Sequence, residues 1–232
     1  MNLYVGTSGY SYPAWKGSFY PAKLPARQML RYYAEHFRAV ESNDTFYRMP
    51  TVSALEGRAT EVPAGFKFVL KAPQEITHRK RLKDVAEPVA EFLEAASVLK
   101  GRLGPLLFQL PPNFKKDSSR LRDFLALLPR RRRIAFEFRH PSWFDEDVFG
   151  LLRRRGCALC VADTDDGPDV PFVATADWAY LRLRGTDYSD RELKAWLKRI
   201  RNQDWRDAYV FFKHEDEANG PRLAKRLLEL AG

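Results

Sequence analysis

Four acid–base side chains occur in or just after short apolar runs of the kind that form buried strands. Glu41, Glu137 and Asp163 lie within such runs, and His140 lies three residues after Glu137. Carboxylates and imidazoles are the usual general acids and bases of enzymes. We therefore expect Glu137, Glu41, Asp163 and His140 to be the catalytic residues, with Glu137 as the principal acid or base.

Cationic and amide side chains occupy the corresponding places of the other runs, and their types suit an anionic ligand. With Lys213 included, five cations of this set exceed its three carboxylates by two. Guanidinium groups bind phosphate and carboxylate in a two-pronged manner. The expected substrate-binding residues of this kind are Ser8, Asn43, Lys71, His78, Gln109, Arg139, Arg182 and Arg184. The roles of Lys213 and His214 stay open.

Aromatic residues follow several of the same runs. Tyr10, Trp15 and Trp143, like Phe46 and Tyr47, are placed where they could stack on a base or a sugar ring. Packing of the core is the alternative for each of them. We include Tyr10, Trp15 and Trp143 among the expected substrate-binding residues.

Metal binding is a less favoured alternative, and no residue is assigned to a metal. The carboxylates, His78, His140 and His214 are suitable ligands for zinc or manganese, but no His-x-x-x-His spacing occurs. Cys157 and Cys160 lie in a predicted strand, whose two-residue period directs them to opposite faces. We expect both cysteines to be buried apolar side chains, and the cofactor stays unknown.

Eight apolar runs alternate with helical patterns, and these elements must position the candidate residues. The predicted strands are 3–8, 39–46, 66–72, 105–110, 134–139, 157–163, 178–185 and 208–214. Apolar residues at a period of 3.6 predict helices between most of them. Helix starts are predicted at Ser53 with Glu56, Ser142 with Asp145, and Ser189 with Glu192, which have the spacing of a capping box.

Residues 164–177 carry Gly and Pro and no helical period, so the sixth helix is expected to be missing or rudimentary. Eight strand units without a Gly-rich phosphate loop after the first strand predict an α/β fold, a (β/α)8 TIM-type barrel. In that fold the carboxyl ends of the strands form the active-site mouth. All residues 1–232 are expected to form one domain.

Composition narrows the protein classes further. The chain has 232 residues, 45% hydrophobic, and a formal net charge of +9. It shows no membrane-spanning run and no signal-peptide pattern, so we expect a cytoplasmic protein without a membrane partner. The basic runs 130–133 and 153–155 precede strands and belong to the opposite, bottom face, whereas 78–83 borders the mouth.

Several motifs together resemble a known family. They are GTSGY at 6–10, WKGSFYP at 15–21, ESNDTFY at 41–47, Lys71 with Thr77 and His78, QLPP at 109–112, and EFRHPSW at 137–143. Over essentially the whole chain the sequence resembles the YecE-like DUF72 family. The resemblance implies a TIM-type barrel and no established activity. The stretch FKHED at 212–216 departs from the Phe-Asn-Asn type of strand end that many relatives resemble.

We expect an enzyme that acts on a phosphorylated or other anionic substrate, with hydrolysis of a phosphoester or phosphodiester as one such reaction. A non-catalytic nucleic-acid-binding protein is the first alternative, because the 78–83 run could follow a phosphate backbone. A sugar-processing hydrolase or isomerase is the second. The expected partner is therefore an anionic small molecule or a nucleic-acid phosphate, and the oligomeric state is not predicted.

Overall fold

Eight parallel strands form the framework of the computed structural model, which describes residues 1–165, 167–212 and 218–232. The strands are β1 Asn2–Thr7, β2 Ala39–Ser42, β3 Lys67–Lys71, β4 Leu103–Gln109, β5 Ile134–Glu137, β6 Ala158–Asp163, β7 Trp178–Leu183 and β8 Asp207–Phe212. They pair in the order β1-β8-β7-β6-β5-β4-β3-β2, so each strand lies beside its sequence neighbours and the last lies beside the first. The predicted TIM-type barrel is confirmed.

The seam between β1 and β2 is closed by few bonds. Ser8 and Glu41 form a single parallel bridge, in which the N–H of Gly9 donates to the Glu41 carbonyl at 2.8 Å. Lower down, the Tyr33 hydroxyl accepts from the Thr7 N–H at 2.8 Å and donates to the carbonyl of β2's first residue at 3.1 Å. A phenol therefore replaces a direct ladder bond at this point of the barrel.

Helices cover the outside of the strands. The longer ones are α1 Met29–His36, α3 Val52–Thr60, α4 Ala86–Ser97, α5 Ser118–Leu127, α6 Glu146–Arg155, α7 Asp190–Arg201 and α8 Asn219–Ala231, and α2 Asp44–Tyr47 is a short helix after β2. Between β6 and β7 the described residues form no helix, as predicted.

Several predicted boundaries differ from the structure, and three of them have a clear local reason. The second strand ends at Ser42, because the Thr45 hydroxyl donates to the Ser42 and Lys71 carbonyls at 3.0 and 2.6 Å and turns the chain into α2. The capping box at Ser189 is present. The other two proposed starts are not: Thr51 caps α3 and Asp145 caps α6, since their side chains accept the free N–H groups of the first turns.

The core has two parts, one between strands and helices and one inside the barrel. The inner part consists of Ala39, Val69, Leu107, Ala135, Ala158, Cys160, Trp178, Tyr180, Tyr209 and Phe211. Cys157 belongs to the outer part and Cys160 to the inner one, as the strand period predicts. At the amino ends of the strands, Tyr4 stacks on Tyr209 with ring centroids 4.7 Å apart, and Arg133 binds Asp207. This bottom layer leaves the opposite end as the place for a site.

No helix in the described ranges is both long and apolar enough to cross a bilayer.

Candidate functional site

A polar layer lies directly above the apolar interior of the barrel. Side chains two residues apart on a strand share a face, and on five strands the inward-facing residues change from apolar to polar towards the carboxyl end. The pairs are Ala39 and Glu41, Val69 and Lys71, Leu107 and Gln109, Ala135 and Glu137, and Tyr180 and Arg182. The strands therefore bring these five sequence-predicted residues together.

Arg182 is the centre of this layer and is only 1% exposed. Its Nη1 donates to Oε2 of Glu137 at 2.6 Å, and its Nη2 donates to Oε1 of Glu41 at 2.8 Å. The Tyr180 hydroxyl donates to the second oxygen of Glu41 at 2.6 Å. One guanidinium thus ties β2 to β5 across the barrel, with β7 supplying the bridge.

The Glu137 carboxylate accepts hydrogen bonds from three side chains, which are Arg182, Gln109 and Arg139. Gln109 Nε2 donates to its Oε1 at 2.8 Å, and Arg139 Nε donates to the same oxygen at 3.0 Å. Burial raises the pKa of Glu137, but the charges of Arg182 and Arg139 outweigh it and hold this pKa well below its ordinary value. Burial also opposes ionisation of Glu41, whose pKa is lowered by the Arg182 charge and the Tyr180 hydroxyl. Both carboxyls are therefore ionised at neutral pH and have no proton to donate.

Lys71 differs from the other members of the layer. Its side chain is 8% exposed, and its Nζ lies 3.9 Å from the centroid of the Phe46 ring. Within the described part of the chain this Nζ has no hydrogen bond or ion pair. Burial lowers the pKa of Lys71 to about 7, helped by the Arg182 charge and opposed by Glu137 and Glu41. Lys71 is thus the amine of the site that exchanges a proton near neutral pH.

His78 lies on the same side of the mouth, in a single π-helical turn at Glu75–Arg79. Its Nδ1 is 2.9 Å from the Thr77 hydroxyl, and its ring meets the Phe46 ring edge-on at 4.8 Å between centroids. Burial and the Lys71 charge lower the pKa of His78 to about 4. The imidazole is therefore neutral at pH 7.

A cavity of about 410 Å³ opens between the end of β5 and the β6–β7 connection. The polar lining comes from Glu137, Asp165, Arg139, Arg184 and Thr164, and Phe138, Val170 and Pro168 contribute apolar surface. The Asp165 carboxylate accepts from the N–H and the hydroxyl of Thr186 at 3.1 and 2.7 Å. Arg139 uses its Nε on Glu137, and the Arg184 side chain has no hydrogen bond or ion pair among the described residues. Two guanidinium groups therefore face the cavity with donors to spare.

Comparison with known proteins identifies the family. The family model described as "Protein of unknown function DUF72" matches residues 4–232. The chain belongs to the DUF72 family. It is 28% identical to UPF0759 protein YecE of Escherichia coli K12 over 98% of this chain and 92% of that protein, and 25% identical to YunF of Bacillus subtilis over 98% and 94%.

Solved DUF72 structures share the barrel. A DUF72 family protein of Thermotoga maritima is 29% identical, with a TM-score of 0.87 over 100% of this chain and 99% of the other. A second, from Enterococcus faecalis, is 19% identical, with a TM-score of 0.80 over 99% and 97%, and supports the fold alone. The barrel described above is thus the fold of DUF72 proteins.

Three residues expected in the site of this DUF72 chain lie elsewhere. Asp163 has the outward phase of β6, because Ala162 faces inward, and its carboxylate accepts from the Tyr188 hydroxyl at 2.7 Å. Trp15 is fully buried among outer-core aromatic residues such as Tyr20. It therefore packs in the outer core and does not line the mouth of the barrel. Trp143 stacks on Phe138 at 4.8 Å, and its Nε1 donates to a backbone carbonyl. The structure therefore does not bring these three side chains into the polar layer.

The remaining expected residues occupy the rim. The His140 Nδ1 accepts from the Ser142 N–H at 3.2 Å and so caps the short turn Pro141–Trp143. Tyr10 leans on Tyr33 with ring centroids 6.2 Å apart. Ser8 forms the seam bridge to Glu41. Asn43 lies two residues after Glu41, just past the end of β2, and its buried Oδ1 has no hydrogen-bond partner among the described residues.

The roles of two residues in the polar layer were not predicted from the sequence. Tyr180, which binds Glu41, lies two residues before Arg182, so the strand period could have placed it in the site. Phe46 was expected only as a stacking surface for ligand, whereas it packs under the Lys71 amine. In the described ranges no three His, Cys, Asp or Glu side chains group as metal ligands. Lys213 and His214 lie outside the described residues.

Proposed function

We propose that this DUF72 protein is an enzyme that acts on a phosphorylated or otherwise anionic small molecule at the C-terminal mouth of the barrel. The observation that carries the proposal is the pair Arg139 and Arg184, whose guanidinium groups face a cavity of about 410 Å³ with unused donors. Arg139 already has Glu137 as a counterion, but Arg184 has none among the described residues. A half-buried cation without a counterion is costly, and an anionic ligand at Arg184 removes that cost. The cavity has the volume of a small-molecule site.

Lys71 supplies the proton transfer that most reactions of such substrates need. Its pKa of about 7 lets the amine act as a base in one step and as an acid in the next. Hydrolysis of a phosphoester is one reaction that fits, since it requires a base for the attacking water. Arg139 and Arg184 would then stabilise charge on the phosphoryl oxygens.

The same geometry weighs against both alternatives. A glycosidase needs one protonated carboxyl, whereas Glu41 and Glu137 are both ionised and bonded to Arg182. For nucleic acid, the 78–83 run offers fewer free cations than its sequence suggests. Arg79 and Lys80 lie 3.7 and 4.0 Å from carboxylate oxygens of Glu75.

Calorimetric titration with inorganic phosphate tests the anion site directly. We expect Arg184→Met to weaken phosphate binding about 10- to 100-fold, the usual loss for a charged hydrogen bond. Arg226→Met is the matched control, because Arg226 lies on α8 and binds Asp190 on the outer surface. Equal affinities of Arg184→Met and the unchanged protein, or no phosphate binding by either, would refute the proposal. Release of nitrophenol from p-nitrophenyl phosphate and bis(p-nitrophenyl) phosphate then tests mono- and diester hydrolysis.

A further inference from the structure

The surroundings of Lys71 differ from those of a lysine that serves only as a counterion. The nearest carboxylates, Glu41 and Glu137, are already bonded to Arg182, and Glu137 also accepts from Gln109 and Arg139. A structural lysine at this depth would be expected to bind a carboxylate, because burial of an unpaired ammonium costs several kcal/mol. Lys71 instead rests on an aromatic face. Its nitrogen is held where its lone pair is free once the proton has left.

We propose that Lys71 forms a covalent imine with the carbonyl carbon of a small aldehyde or ketone that also carries a phosphate or carboxylate group. This inference rests on the proposed function, since Arg139 and Arg184 hold the anionic group while Lys71 attacks the carbonyl. It narrows the substrate class from anionic compounds in general to anionic oxo compounds.

The positions of the groups support a substrate that spans the mouth. Lys71 ends β3, Arg139 follows β5, and Arg184 follows β7, so all three lie at the same end of the barrel. Lys71 is not itself among the residues that line the cavity, but Glu137 and Arg139 do line it, and their charges act on the Lys71 amine. The pKa of about 7 makes roughly half of the amine neutral at pH 7, about a thousandfold more than for an ordinary lysine. Desolvated lysines of this kind are the ones that enzymes use as nucleophiles.

The chemistry requires no redox partner. The neutral Nζ attacks the carbonyl carbon, the N–C bond forms, and the electron pair of the C=O π bond moves to oxygen, which takes up a proton. The nitrogen gives up one proton as the neutral carbinolamine forms. The C–O bond then breaks, the oxygen leaves as water with a second proton, and the nitrogen gives up its other proton as the C=N bond forms, so the two protons gained by oxygen equal the two lost by nitrogen. One water leaves for each imine, and the oxidation states are unchanged. His78, which shares the Phe46 ring with Lys71 and is neutral at pH 7, is placed to carry protons in these steps.

Reductive trapping tests the inference on the whole protein. The protein is incubated at pH 7.5 with D-glyceraldehyde 3-phosphate, glyoxylate or propanal, reduced with sodium cyanoborohydride, and analysed by intact mass and peptide mapping. We expect one adduct per chain from the two anionic probes, on the peptide that contains Lys71, and at least a tenfold excess over any other lysine. Lys71→Met should abolish this adduct, whereas Lys115→Arg, which alters an exposed lysine, should leave it unchanged.

The arms of the experiment separate the two proposals. If phosphate binds and depends on Arg184, but the anionic probes label Lys71 no faster than exposed lysines, the imine is refuted and the anion site stands. If propanal labels Lys71 as efficiently as glyceraldehyde 3-phosphate, and Arg184→Met changes neither, Lys71 is a nucleophile but the anionic substrate class is refuted. Both proposals are supported when phosphate slows trapping of the anionic probes and Arg184→Met lowers it. Mapping in the unsubstituted protein keeps the test valid even if Lys71→Met is less stable.

Discussion

Replacement of Arg182 by methionine tests whether one buried guanidinium holds the polar layer together. Methionine fills a similar volume but leaves Glu41 and Glu137 as two buried carboxylates without their shared cation. Removal of one partner from a buried ion pair typically costs about 3–5 kcal/mol. In a chain of this size each kcal/mol shifts the melting temperature by about 2–4 °C. We therefore expect Arg182→Met to melt roughly 6–20 °C below the unchanged protein at pH 7.

The pH dependence distinguishes lost charge balance from lost packing. In the unchanged protein the pKa values of both carboxyls are below their ordinary value of 4.5, so their stabilising contribution is present above about pH 4.5 and is lost on acidification. Without Arg182, burial should raise the pKa values of both carboxyls. The variant therefore loses stability at neutral pH, where the buried carboxylates are charged, and regains part of it as they become protonated at lower pH. The stability difference between the two proteins should thus shrink between pH 7 and pH 4.

Urea denaturation at pH 7, 5.5 and 4, followed by circular dichroism, measures this difference. Arg226→Met, which alters an exposed ion pair on α8, should leave the urea midpoint unchanged. The triple variant Arg182→Met, Glu41→Gln, Glu137→Gln should recover at least half of the loss at pH 7. The reasoning is wrong if Arg182→Met costs less than about 1 kcal/mol, or if its cost is the same at all three pH values.

Three further outcomes follow from single positions. Lys71→Met should raise the melting temperature at pH 7, because the variant no longer has an ammonium group to desolvate on folding. The gain in melting temperature should be smaller at pH 9.5, because the wild-type amine, with its pKa of about 7, is then neutral in the folded protein. An equal gain at both pH values would contradict this reasoning. Gly6→Ala should lower the free energy of unfolding, measured in urea, by about 1–3 kcal/mol or more, because the added Cβ would lie 2.0 Å from a backbone oxygen of β2. Gly57→Ala in α3 is the control, because its Cβ would meet open space and should not destabilise the protein. Burial raises the pKa of Cys157 to about 12 and raises the pKa of Cys160 well above its ordinary value, so neither thiol should react with dithionitrobenzoate before denaturation. A fast reaction of either thiol in the native protein would disprove the buried assignment.

The two-residue strand period predicts much of this site. It selects Glu41, Lys71, Gln109, Glu137 and Arg182 from the sequence, because on β2, β3, β4, β5 and β7 the inward-facing residues change from apolar to polar at the carboxyl end. The period also explains the error at β6. There the inner phase carries small apolar residues to the end of the strand, and the terminal carboxylate belongs to the outer phase.

Other features depend on three-dimensional placement that periodicity does not contain. Trp15 and Trp143 end single 3-10 turns, which are too short for a repeat to fix the direction of a side chain, and both side chains turn into the outer core. The double ion pair of Arg182 depends on the stagger of strands across the barrel, because Glu41 is 141 positions away in the chain. Burial lowers the pKa of Lys71, and the short helix α2 contributes to that burial by placing the Phe46 ring under the amine.

The pairing of the first strand with the last has a consequence for biosynthesis. During translation β1 has no partner on one edge until β8 has left the ribosome, and the seam to β2 contributes only a bridge and a phenol contact. Glu41 is made long before Arg182, so its carboxylate has to stay hydrated while the sheet is incomplete. The charged layer is therefore among the last parts of the interior to assemble, and the nascent chain exposes an open sheet edge until that moment. The ion pairs of Glu41 and Glu137 with Arg182 can therefore form only after β7 has been made.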